Sequence, residues 1–94
     1  MKCLEIIELR AAGNKRDSLA SQLQTIISLL EKGSSKQKIK IYTRVLVDSD
    51  FSIMLFHDTT KTGTEGSRIG LHLASALKAF GLVNHSIWNE LESQ

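Results

Sequence analysis

The sequence predicts one α+β domain, spanning residues 1–94, with the element order βαββαβ. Three observations carry this. Short runs of β-branched and large apolar residues open the chain, stand as an adjacent pair in its middle and recur near its end. Two longer stretches between them repeat apolar residues at helical spacing. A chain of 94 residues, 41% apolar and 23% charged, suits a single small core and is too apolar for intrinsic disorder.

Cys3 to Leu9 (CLEIIEL) reads as the first strand, with Glu5 and Glu8 on alternate faces. Ile6 and Ile7 satisfy either register, so the face each Glu occupies stays open. Ala11-Ala12-Gly13-Asn14 breaks the strand, and Asn14 with Asp17 marks a helix start with a carboxylate in its first turn. Leu19, Leu23, Ile26, Ile27 and Leu30 then form an apolar stripe opposite Ser21, Gln24 and Ser28, and Gly33 closes the helix. After a polar linker at 33–37, Ile39, Ile41, Thr43, Val45 and Val47 alternate with Lys40, Tyr42, Arg44 and Leu46 as the second strand. Asp48-Ser49-Asp50 is the expected hairpin turn, because these side chains bond their own backbone. Phe51, Ile53 and Leu55 continue as the third strand, alternating with Ser52, Met54 and Phe56.

Asp58 to Ser67 contains no apolar residue and two glycines, which predicts a loop. Ile69, Leu73, Ala76, Leu77 and Phe80 line the inner face of a second helix capped by Gly81, with Ser67 as its N-cap. His85, Ile87, Asn89 and Leu91 alternate with Ser86, Trp88 and Glu90 as the fourth strand. Right-handed crossovers place both helices on one face of a four-stranded antiparallel sheet of order 4-1-3-2, the ferredoxin-like arrangement. Ile39, Ile41, Val45, Ile53 and Leu55 are expected to meet the helices.

Charge and cysteine content narrow the function classes. A net charge of +2 is too small, and too mixed with acids, to imply nucleic acid or membrane by bulk electrostatics. One cysteine forms no internal disulfide, which favours a reducing compartment. The charged N-terminal strand pattern lacks a signal-peptide apolar region, and no stretch reaches the length of a membrane span, so a cytoplasmic location is expected.

The face turned away from the helices carries Tyr42, Arg44, Leu46, Met54, Phe56 and Trp88, with Glu8 and Glu90 as neighbours. At about 1.5 to 3 kcal/mol for each fully buried large side chain, covering such a face is worth on the order of 10 kcal/mol at most. No further helix is available, and a second copy of the same sheet is the self-complementary cover. At this point the chain resembles the dimeric α/β-barrel superfamily, which includes cofactor-free monooxygenases of antibiotic biosynthesis and stress-responsive barrel proteins. The resemblance covers the strand Leu4-Glu5-Ile6-Ile7-Glu8-Leu9, the helix after it and the segment Ser49 to Phe56. It implies a homodimer closed through its sheets and, in an enzymatic version, oxygen-dependent turnover without metal or cofactor. The proline-histidine segment of many stress-responsive members is missing, since the chain contains no proline. The asparagine, tryptophan and histidine set of the haem-degrading members is not reproduced either, and no catalytic residue is carried over.

A space between paired sheets lined by Glu8, Tyr42, Arg44, Phe56 and Trp88 suits a flat aromatic ligand whose carboxylate meets Arg44; the plainer reading is that these groups fill a dimer core. His57 and His85 are expected at opposite ends of the sheet, roughly 20 Å apart at about 3.3 Å per residue, which argues against a shared metal. Cys3 should lie beside His57, the minimum for a nucleophile and its base, but no third orienting group is evident. Gly63 to Gly70 places glycines, hydroxyls and Arg68 at a helix N-terminus, where an anion is favoured, although Ser67 as a plain cap explains the same residues. RNA stacking on Tyr42, Phe56 and Trp88 is disfavoured by Glu5, Glu8 and Glu90. Pairing of a partner along the second strand is opposed by Lys38 and Lys40.

Overall fold

The computed structural model describes residues 3–12, 16–33, 38–57 and 67–91. Six elements follow the predicted order: β1 (Cys3–Ala11), α1 (Arg16–Gly33), β2 (Lys38–Arg44), β3 (Val47–His57), α2 (Arg68–Leu77) and β4 (Gly81–Asn89). The strands form one antiparallel sheet in the order β2-β3-β1-β4, the predicted sequence of neighbours counted from the other edge. The predicted helix start at Gly13 and Asn14, the linker at 34–37 and the loop at 58–66 lie outside the described residues.

Period-two alternation decides which residues form the core. On β1, Cys3, Glu5, Ile7, Leu9 and Ala11 are buried, while Leu4, Ile6, Glu8 and Arg10 turn the other way. Ile39 on β2 and Phe51, Ile53 and Leu55 on β3 share the inward face. Leu19, Leu23 and Ile27 of α1 and Leu73, Ala74 and Leu77 of α2 pack with them in one cluster. Ile26, Ile41, Ile69 and Phe80 are half-buried against it. Helix α2 lies over β1 and β4, whereas α1 lies toward β2.

Four expectations are corrected. The hairpin turns at Val45–Leu46 rather than at Asp48-Ser49-Asp50, because β3 already pairs from Val47, opposite Arg44. Asp50 therefore spends its carboxylate on Arg10 and Arg44 across the sheet instead of on a local turn. Val45, expected inside, is 83% exposed at the hairpin tip, and Leu46 leaves the open face for the same tip, where it is 99% exposed. On α2 the inward stripe is Gly70, Leu73, Ala74 and Leu77, at the i, i+3, i+4, i+7 spacing, so Ala74 faces in and Ala76 faces out.

The fourth correction concerns the end of the chain. Helix α2 stops at Leu77, and Gly81, expected as its cap, instead opens β4 opposite Ala11. A Cβ at Gly81 would sit 1.9 Å from the Arg10 carbonyl oxygen, so only glycine permits this approach. The Ala12 N–H donates to the Phe80 carbonyl at 2.8 Å and fastens the same corner. Strand β4 therefore begins four residues before His85, while Leu91 falls beyond its end and is exposed.

Leu46 has φ of 65°, a left-handed backbone that costs an L-residue with a Cβ roughly 1–2 kcal/mol. Leu46→Asn should keep the turn and raise the urea unfolding free energy by about 0.5–1 kcal/mol, since Asn tolerates this region and no packing is lost. Gly81→Ala should cost about 3 kcal/mol or more on the same measurement, because backbone must move to admit the methyl group.

Candidate functional site: a buried carboxylate between two imidazoles

Glu5 faces the helices from β1 and is fully buried. The β1–β3 register places His57 opposite Cys3, and the β1–β4 register places His85 opposite Ile7, so the two histidines flank Glu5 diagonally on its own face. His57 Nε2 lies 2.6 Å from Oε1, and His85 Nε2 lies 2.8 Å from Oε2. The Ser67 backbone N–H donates to Oε1 at 3.0 Å. Ser67 also caps α2, its Oγ accepting from the Gly70 N–H at 3.0 Å as predicted. Among the described residues no buried side-chain nitrogen or oxygen lacks a partner.

The expected separation of His57 and His85 to opposite ends of the sheet is thereby overturned. It assumed that β4 starts at His85; because β4 starts at Gly81, His85 sits mid-strand and its ring reaches the carboxylate that His57 reaches from the other side. One imidazole takes each carboxylate oxygen, and among the described residues no group of three or more His, Cys, Asp or Glu is arranged to hold a metal.

Ser67 caps α2 as the plainer reading had it, and the anion site that was its alternative has an internal occupant. Glu5 places its carboxylate against Ser67 and Gly70, where the first turn of the helix presents N–H groups and the positive end of its dipole. A Cβ at Gly70 would lie 2.0 Å from Oε2, so glycine at this position is what lets the helix close over the acid. Burial pushes the Glu5 pKa up, but the hydrogen bonds from Ser67, His85 and His57 outweigh it and hold the carboxyl below its ordinary value of 4.5.

Cys3 and His57 are register partners on the same face, as expected, and Glu5 is the third group that the sequence did not reveal. The thiol itself is buried beneath the helical layer.

The predicted ligand-binding residues all lie on the opposite, open face. Register orders that face by chemistry. At one end Lys38, Phe56, Leu4 and Trp88 stand side by side, followed by Lys40, Met54, Ile6 and Ser86. Toward the other end come Tyr42, Ser52, Glu8 and Asn84, then Asp50, Arg10 and Leu82. Asp50 accepts from Arg10 Nε at 3.2 Å and from Arg44 Nη1 at 3.3 Å, and Arg10 above all holds its carboxyl below the ordinary range. Glu8 accepts from the Asn84 side chain at 3.4 Å. A depression of about 600 Å³ opens at this end, lined by Glu8, Arg10, Tyr42, Arg44, Asp50 and Asn84 among others. Phe56 and Trp88 lie at the far end, where Trp88 is 57% exposed with its indole N–H on Ser86 Oγ.

No family model, curated protein or solved structure matches this chain significantly. No helix is long and apolar enough among the described residues to cross a membrane.

Because the Glu5 pKa is lower in the folded chain, its contribution to stability is fully present above the unfolded value of 4.5 and is lost as pH falls through the folded one. Urea unfolding of the wild type should therefore weaken below that range, and Glu5→Gln should remove part of the slope. Gly70→Ala should cost about 2–3 kcal/mol despite its better helix propensity, because it displaces the carboxylate from its donors.

Proposed function

We propose that the chain is a ferredoxin-like domain that pairs through its open sheet face into a dimeric α/β barrel and holds a small aromatic acid between the sheets. The observation that supports this most is the gradient across that face: an apolar patch of Leu4, Ile6, Met54, Phe56 and Trp88 at one end, a polar depression at the other. A twofold axis lying between the two sheets and perpendicular to their strands lays the patch of one copy over the depression of the other, where the exposed Leu82 offers apolar contact. The aromatic patch then closes the depression from above. Tyr42 supplies a flat wall, and Arg44 a guanidinium only half committed to Asp50, which it shares with Arg10. Glu8 on the rim disfavours doubly charged anions. In this reading Phe56 and Trp88 make the dimer, and Tyr42, Arg44 and Glu8 meet the ligand.

A second reading has one observation in its favour. Glu5, counted against nucleic acid, lies on the helix side, and Asp50 is matched by two guanidinium groups. Lys38, Lys40, Arg10 and Arg44 thus share the open face with Tyr42, Phe56 and Trp88, a pattern suited to stacking single-stranded bases.

Light scattering at micromolar protein should give the mass of a dimer that persists in salt, and Phe56→Ala with Trp88→Ala should dissociate it. Titration of the dimer with 1-naphthoate should weaken about tenfold or more in Arg44→Ala, the loss of a charge-assisted pair. A monomer that binds oligouridylate with an affinity falling steeply in salt would replace this reading with the second one.

A further inference from the structure

Burying a carboxylate is costly unless its surroundings repay it, and an apolar residue of similar volume is often no less stable at such a site. Glu5 is fully buried, and among the described residues no Lys or Arg pairs with it; the described side chains that hydrogen-bond to it are His57, His85 and Ser67. The histidine rings differ in their surroundings. The side chain of His57 is 8% exposed, whereas His85, on the edge strand β4, is 15% exposed and among the described residues bonds through Nε2. A carboxylate accepting from Nε2 fixes the proton there, so that in the neutral ring Nδ1 is the nitrogen that carries the lone pair. That arrangement is an imidazole base held in one tautomer by a buried acid.

We propose that His85 is a general base, and that Glu5 is the positioning residue that orients it. The substrate class is a small molecule with a weakly acidic C–H or heteroatom–H bond that reaches the β4 edge of the helix-covered face. In the step, that bond to hydrogen breaks, its electron pair stays on the substrate, and the proton goes to His85 Nδ1. The resulting imidazolium lies against the Glu5 carboxylate, whose negative charge balances it, and the proton returns by the same path. This side of the sheet is opposite the depression at Arg44, so the proposal stands independently of the dimer.

Two measurements on the full chain decide it. The first is the rate of carbethoxylation of each histidine by diethyl pyrocarbonate, which attacks an imidazole lone pair, followed by mass spectrometry. The exposed His72 on α2 is the internal reference. His85 should react at least as fast as His72 in the folded protein despite its smaller exposure. In Glu5→Gln its rate should fall about tenfold, the usual scale for losing an orienting partner. The second is the imidazole nitrogen shifts at about pH 8, where His85 should carry its proton on Nε2 and show a lone-pair shift at Nδ1. A His85 slower than His72 in the wild type, or protonated on Nδ1, overturns the proposal. An unchanged rate in a folded Glu5→Gln overturns the role given to Glu5. Should that variant fail to fold, the two wild-type results still decide whether His85 is the base.

Discussion

A single carboxylate ties four parts of this small protein together. Glu5 projects from β1 and accepts from the last residue of β3, from the middle of β4 and from the residue that caps α2. Oε1 serves both His57 and Ser67, which bracket residues 58–66, so the exit of β3 and the entry to α2 are fixed on one oxygen. The remaining core is apolar, and its contacts are non-directional. Apolar burial holds the helices to the sheet, but the hydrogen bonds to Glu5 specify where along the sheet α2 begins.

The glycines belong to the same constraint. Gly70 lets α2 approach the carboxylate, and Gly81 lets β4 approach β1 closely enough for His85 to reach it. Neither works through flexibility; each works through the missing Cβ. The two halves of the molecule thus meet through close backbone approach on one side of the sheet. The opposite side keeps Phe56 and Trp88 on the surface, at the far end from its paired charges.

Much of this was legible in the residues. Alternation in Ile39 to Thr43 and Phe51 to Phe56 defined the middle hairpin, the Leu19-Leu23-Ile27 stripe defined α1, and Ser67 was identifiable as a cap. What alternation cannot fix is a boundary. Val45 and Val47 continue the period of two through the turn, and the strain at Leu46 carries no glycine or asparagine to announce it. Lys78 to Phe80 read equally well as the end of a helix, which delayed the start of β4 and pushed His85 away from His57. The face of Glu5 was open because Ile6 and Ile7 are interchangeable between core and surface. The signal that was present and missed was the glycine at Gly70, three residues into α2, where a helix former would otherwise be expected.

The span of the Glu5 cluster also orders events during synthesis. His57, Ser67 and His85 follow Glu5 by 52, 62 and 80 positions. As the chain leaves the ribosome, β1 emerges with an ionised acid among apolar neighbours and none of its donors yet made. While hydrated, that charge discourages β1 from burying itself in a wrong partner, and the strand becomes fit for the interior only once β4 has been translated. The same residue that organises the finished core therefore acts earlier as a solubilising group on an otherwise sticky nascent segment.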